Sequence, residues 1–453
     1  MRKTVVEPAR EIDVVHETDV LVVGSGPGGL AAALAAARAG VEVALVERFG
    51  CFGGNITAVG VEGFAWYRRE ETVEAGGLAH EFEARAKAMG MAVPESQSLS
   101  YELDSEGFKL VADRLVEEAG IHPMLHRQFV APLMDGDRVV GIVTESKAGR
   151  EAILARRVID GTGDADVAHR AGAETRTTPR EEMLAASVMF HVAGVDKGRF
   201  LAGVRADPQT YGDWTATWSI ETDEDVAAMY SPLLAKPFAQ AIRDGHLPAD
   251  LSTIGGTWGA VHDTGELTYL NLVHLVGCDG TDPDSLTHHE IEGRRQAMLA
   301  IEALREYTAG CEAVRLRNFG MTIGIRDTRK IRAAYDLTEH DVRHQGRFDD
   351  TIGIFPEFID GYGVLVLPVT GRYFQVPYRS LLPRGVRNLL VAGRATGGDR
   401  IAHAATRNMA CCVVTGQGAG VAAALSLRAG TDLEDLDLAA VREELERQDV
   451  RIG

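Results

Sequence analysis

Apolar residues change their period twice within the first fifty positions. Residues 19–23 form a short apolar run, residues 30–39 are rich in alanine, and residues 41–47 are apolar again. A glycine-rich turn joins the first two, so residues 19–47 are expected to fold as strand, turn, helix and strand, a βαβ unit. Residues 107–120 read as a helix closed by Gly120, and residues 121–125 as a strand. Three strand-like runs follow at 128–133, 138–144 and 152–159, separated by Asp135-Gly136-Asp137 and by residues 147–150. Such a meander does not belong to a plain doubly wound sheet, and it is expected as a small antiparallel layer covering one. Thr338 and Asp341 have the spacing of a helix start. Near the other end, residues 388–392 fit a strand, followed by a glycine turn and a glycine- and alanine-rich helix.

The two ends therefore share one style, which the middle lacks. Residues 175–380 have fewer alanine-rich runs and hold Trp214, Trp218, Trp258 and most of the histidines. The expected organisation is α/β and discontinuous: one domain from 15–60, 104–175 and 385–430, and a second, α+β domain from 61–103 and 176–384. Residues 431–453 are expected as a helical tail.

Composition narrows the function. The net charge is −19 and no basic run exists, which argues against nucleic acid and anionic membranes as partners. The five cysteines are odd in number and form no CxxC pair, as expected of a reduced, cytoplasmic protein without a motif-based metal or iron–sulfur site. The polar amino terminus does not read as a signal peptide, and glycines and polar residues interrupt the apolar stretches 20–46 and 408–427. His288-His289-Glu290 and the pair His340 and His344 lack a third ligand at readable spacing, so no metal is expected.

The 50 glycines gather where strands end. Gly24-Ser25-Gly26-Pro27-Gly28-Gly29 follows a strand and opens a helix, the arrangement that lets backbone approach a pyrophosphate at a helix N-terminus. Glu47, followed by Arg48, ends the next strand and suits a ribose hydroxyl. Further turns occur at Gly53-Gly54-Asn55-Ile56-Thr57, at Gly161-Thr162-Gly163-Asp164, and at Gly393 and Arg394 through Gly397, Gly398 and Asp399. A last cluster is Gly416-Gln417-Gly418-Ala419-Gly420. Strand ends of this kind are where ligands sit in open α/β sheets.

With these segments, and with RVIDGTGDADVAHRAGA, GIRDTRKIRAAYDLTEHDV and VPYRSLLP, the chain resembles the FAD-dependent oxidoreductases of the glutathione-reductase-like superfamily. The resemblance implies a glutathione-reductase-like FAD-binding Rossmann domain with an antiparallel meander and a second substrate domain. It implies that residues 24–29 hold the pyrophosphate, Glu47 the adenosine ribose, and that Val130 borders the adenine. Residues 161–164 and 393–399 would flank the pyrophosphate and ribityl chain, and the helix with residues 416–420 would approach the flavin ring. No second GxGxxG domain and no CxxxxC pair is present, which disfavours disulfide reduction. Cys51 stands near the double glycine, where it is either a small buried residue or a point of covalent flavin attachment.

His403 and Arg407 follow the last glycine turn and are expected beside the ring, as a proton donor or acceptor and a holder of carboxylate or flavin charge, or else as packing for a helix. Arg326 and Arg329, which share a face if helical, suit an anionic substrate, a flavin edge or salt bridges between domains. Tyr211, Trp214 and Trp218 suit either a pocket or a buried face. The leading expectation is a dehydrogenase or reductase moving hydride between flavin N5 and a small organic substrate. An oxygen-using oxidase or monooxygenase is the alternative, and an RNA-modifying flavoprotein and an electron-carrier subunit are further ones. Substrate, electron partner and self-association stay open.

Overall fold

A computed structural model describes residues 3–251 and 253–453, so the first two residues of the polar amino terminus lie outside it. Its main sheet has seven strands. Strand Asp13–Val23 lies at the centre, with Val43–Val46 and His122–Met124 parallel to it on one side. On the other side lies Gly149–Asp160, also parallel. This strand is the joint of the sheet. Its first half pairs antiparallel with Arg138–Ser146, which pairs with Gln128–Asp135, while its last three residues pair parallel with Leu389–Val391. The meander is therefore an extension of the main sheet, where a separate covering layer was expected. The reason is the length of Gly149–Asp160, which leaves backbone for two neighbours along one edge. The central strand also starts earlier than its apolar run, because residues 13–18 find partners at 151–155 although their side chains are mostly exposed.

Helix Pro27–Arg38 begins with proline in its first turn and is buried through most of its length by alanine and leucine. It packs backbone to backbone on the long helix Met409–Ala429. A Cβ on Gly416 would lie 2.0 Å from the Gly28 carbonyl oxygen, and one on Gly420 2.2 Å from that of Ala32. Gly416 and Gly420 thus serve helix packing, while Met409 and Cys412 at the start of the same helix line a large cavity. Helix Met409–Ala429 is long and apolar enough to cross a membrane, but 89% of its apolar window is buried within the fold.

The second sheet is five-stranded and antiparallel, in the order Leu233–Leu234, Ile254–Thr257, Glu266–Leu275, Ala186–Ala193 and Arg315–Phe319. Helix Pro283–Tyr307, started by the Asp282 cap, covers it, and Phe190, Leu270, Ile301 and Leu304 form its core. The boundaries of the cores differ from the expected domain limits. Helix Leu78–Ala88, expected with the second domain, buries Leu78 and Phe82 in the core of the first. Phe355 and Phe374, within the expected 176–384 segment, do the same. The helix start at Thr338 and Asp341 is a reciprocal capping box on helix Glu339–Arg343.

Candidate active site

A cavity of about 1120 Å³ runs from the C-terminal ends of the main sheet to the second sheet. It exceeds the roughly 300–1,000 Å³ of ordinary small-molecule pockets, so it has room for more than one small ligand. One end is built by the fingerprint turn. Gly24, Ser25, Gly26, Pro27, Gly28 and Gly29 all line it. Gly26 precedes the helix without a side-chain cap, and a Cβ placed on it would meet nothing within 4 Å. Bare N–H groups at a helix start, facing open space, suit a diphosphate. Glu47 is buried and accepts from the Ser25 amide at 2.9 Å, the Ser25 hydroxyl at 2.7 Å and the Phe49 amide at 3.0 Å. It fixes the turn and lines the cavity, as does the exposed Arg48.

Gly54 and Asn55 line the cavity, whereas Gly53 and Thr57 stand behind it, the Thr57 hydroxyl donating to the Phe52 carbonyl at 2.6 Å. Cys51 is buried beside Thr57 and away from the lining. Val130 does not line the cavity, where Arg127, Gln128 and Phe129 do; the strand pairing shifts register between Phe129 and Ala131, so Val130 falls at a bulge. Gly161, Thr162, Gly163 and Asp164 line the middle, with Gly393 and Arg394 opposite. Arg394 is held by Asp164 at 3.0 Å, and its Nε is buried without a partner. Asp399 is not at the cavity; it caps helix Arg400–Thr406 by accepting from the Ala402 amide at 2.9 Å.

The catalytic candidates separate. Arg326 and Arg329 do not share a helical face, because the chain is irregular at Arg326 and Arg329 begins strand Arg329–Ile331. Arg326 faces the cavity, while Arg329 turns to Asp166 at 2.6 Å, beside a smaller neighbouring cleft. Arg407 lines the cavity, paired with Asp360 at 2.9 Å, and its Nε is buried and unpartnered. His403 is one layer deeper. Its Nε2 lies 3.1 Å from the Arg326 carbonyl oxygen and its Nδ1 has no partner. Burial, with Lys330 nearby, holds the imidazole well below its ordinary pKa. His403 therefore does not line the cavity; it braces the turn that carries Arg326. Lys330, the remaining cation of that cluster, is buried on Asp327.

Residues without a motif complete the wall. Trp66, Tyr211, Trp214 and Trp218 line it, so the aromatic group left open in the sequence belongs to the cavity. Tyr269 also faces it, from a strand position with φ of 51°. Positive φ at a bulky residue is strained, and here it aims a phenol into the cavity past Gly63, where a Cβ would meet the ring at 2.8 Å. Burial raises the Tyr269 pKa, so the hydroxyl keeps its proton. Behind Gly63 three carboxyls are buried together. Burial pushes Glu62 and Glu95 up to about 7, and burial plus those two neighbours raises Glu102 well above the ordinary range.

A carboxyl with a raised folded pKa stabilises the fold at low pH and loses that contribution as pH rises above the unfolded value. Glu102→Gln is therefore expected to stabilise the protein near pH 8 but not near pH 5, by up to about 1.4 kcal/mol per pH unit in between. Thermal midpoints across that range test this, and equal shifts at both ends would refute it.

Among sequence relatives, a digeranylgeranylglycerophospholipid reductase of Methanopyrus kandleri is 26% identical over 384 residues, covering 77% of this chain and 98% of that protein. Its counterpart in Methanoculleus marisnigri is 30% identical over 210 residues, 43% of this chain and 51% of that protein. Among solved structures, a geranylgeranyl bacteriochlorophyll reductase-like protein of Thermoplasma acidophilum aligns with a TM-score of 0.49 at 14% identity, over 96% of this chain and 82% of that one. Over residues 19–445 the chain fits the FAD dependent oxidoreductases, and it belongs to that family of enzymes, whose redox cofactor is FAD.

Proposed function

We propose that this enzyme is a dehydrogenase or reductase that moves hydride between FAD and a small organic substrate, on a glutathione-reductase-like arrangement of cofactor and substrate domains. One observation carries the reading: a single cavity joins the fingerprint turn and Glu47 to a wall formed by Tyr269 of the second sheet and by Arg326 beside it. The names of the sequence relatives, both reductases, support hydride transfer over oxygen chemistry.

In this reading residues 24–29 receive the pyrophosphate on backbone N–H groups, and Glu47 meets the ribose. Residues 161–164 with Gly393 and Arg394 flank the middle of the cofactor, and the unpartnered Arg394 Nε fits an oxygen-rich ligand. FAD supplies a two-electron hydride acceptor or donor when bound. The chain then positions the substrate and manages charge and protons. Arg407, fixed by Asp360, steadies negative charge in the reacting region. The Tyr269 hydroxyl, kept protonated by burial, is placed to hand a proton to a reduced substrate.

Rapid mixing tests the reaction class. Anaerobic substrate should change the flavin redox state with single-turnover kinetics, and oxygen should not be incorporated into product. An oxygenated product, or hydrogen peroxide in step with turnover, would instead mark the enzyme as oxygen-using. FAD is also expected to leave with acid precipitation, one per chain, because Cys51 is turned away from the cavity. Flavin that stays in the pellet and disappears in Cys51→Ser would show a covalent link.

A further inference from the structure

We propose that Arg326 anchors an anionic group of the substrate, and that the substrate is an organic acid with an apolar or aromatic body. This rests on the functional reading above and names the substrate class for the same cavity.

The argument starts from the partners of each cation on the wall. Arg407 has Asp360 at 2.9 Å and Arg394 has Asp164 at 3.0 Å. Arg326 forms no ion pair with a carboxylate among the described residues. Its nitrogens donate to the Ala185 carbonyl at 2.8 Å and Asn271 Oδ1 at 3.1 Å, and lie 3.4 Å from His274 Nδ1. All three partners are neutral. Burial and the charge of Arg326 lower His274 to about 3, which keeps the imidazole uncharged at ordinary pH. Arg326 itself is lowered only to about 10, by burial and by Arg407, so it is a cation at neutral pH. A guanidinium held in place by neutral acceptors, with protein around it and one side open to a cavity, retains its charge for whatever enters. Its fork suits a carboxylate.

The diphosphate of the cofactor is not the natural claimant. Arg326 stands with Asn271 and His274 of the second sheet, while the fingerprint turn belongs to the first. The same cavity carries an aromatic cluster. Tyr211 and Trp214 have ring centroids 5.7 Å apart, and Trp214 and Trp218 5.6 Å apart. The indole N–H of Trp214 is already spent on Ser231 at 3.2 Å, which leaves its ring as apolar surface. Asp360 links the two regions, because its charge acts on both Tyr211 and Arg326. An anionic head and an apolar tail match this wall.

Benzoate, cinnamate and decanoate, each with its primary amide, are titrated into the purified enzyme and into Arg326→Met and Arg326→Lys. Tryptophan fluorescence follows binding and flavin absorbance follows cofactor content. At least one acid should bind about tenfold or more tightly than its amide, the scale of a charge-assisted hydrogen bond. That preference should vanish in Arg326→Met and survive in part in Arg326→Lys, with FAD content unchanged. No preference in the parent, or a preference that persists in Arg326→Met, overturns the proposal. Loss of FAD in Arg326→Met also overturns it, because Arg326 would then serve the cofactor. If the parent itself holds no FAD, the functional reading fails; the fluorescence titration still decides the role of Arg326.

Discussion

Gly26→Val is expected to give folded protein without FAD. A Cβ at Gly26 meets no atom of the surrounding protein within 4 Å, so the fold should tolerate the substitution, but the side chain would occupy the space in front of the bare helix N-terminus. The neighbouring glycines do not share this property. A Cβ on Gly29 would lie 1.9 Å from the Gly24 carbonyl oxygen, and one on Gly28 2.8 Å from the Gly393 amide nitrogen. Gly29→Ala should therefore cost stability, about 1–3 kcal/mol or more as overpacking does, whereas Gly26→Val should not. The ratio of flavin to protein after reconstitution, with circular dichroism and a melting curve for each variant, separates the two effects. Normal flavin content in Gly26→Val would place the pyrophosphate elsewhere.

The second large effect is expected at Arg407. Arg407→Ala should keep FAD and the fold while slowing substrate-linked flavin reduction roughly 10²–10³-fold, the scale for removing one preorganised donor from developing charge. The motivation is its place on the cavity wall with an unpartnered Nε. His403→Ala should act differently. His403 lies behind the wall and is held neutral, so its loss should loosen Arg326 and weaken substrate binding more than it slows the chemical step. With the folded pKa below the unfolded one, His403 contributes stability above the ordinary histidine pKa and loses it as pH falls toward the folded value. It should therefore add no break near neutrality to the rate profile. Near-normal single-turnover rates in Arg407→Ala would move the chemistry to Tyr269 and Arg326.

The sequence determined one end of the cavity. The fingerprint at residues 24–29, Glu47 after the second strand, and the turns at 161–164 and 393–394 are local patterns, because tight turns of this kind need glycine at fixed offsets from strand and helix. The alternation of strands and the Thr338 cap were legible for the same reason: each is set by neighbours a few residues away.

Tertiary structure alone decided the other end of the cavity. His403 and Arg407 sit four apart at one short helix, yet only Arg407 reaches the cavity, since Asp360 on a distant strand holds Arg407 while the distant Arg326 carbonyl holds His403. Arg326 and Arg329 look like one basic cluster and part company because the chain there is not helical. Val130 falls at a bulge and Asp399 is taken up by a helix cap, so neither lines the cavity. Tyr269 carried no signal at all; its phenol reaches the cavity only because packing holds an unfavourable φ and Gly63 leaves room. Gly416 and Gly420 form the contact surface of two helices, since close approach to another helix makes the same demand for glycine as close approach to a phosphate.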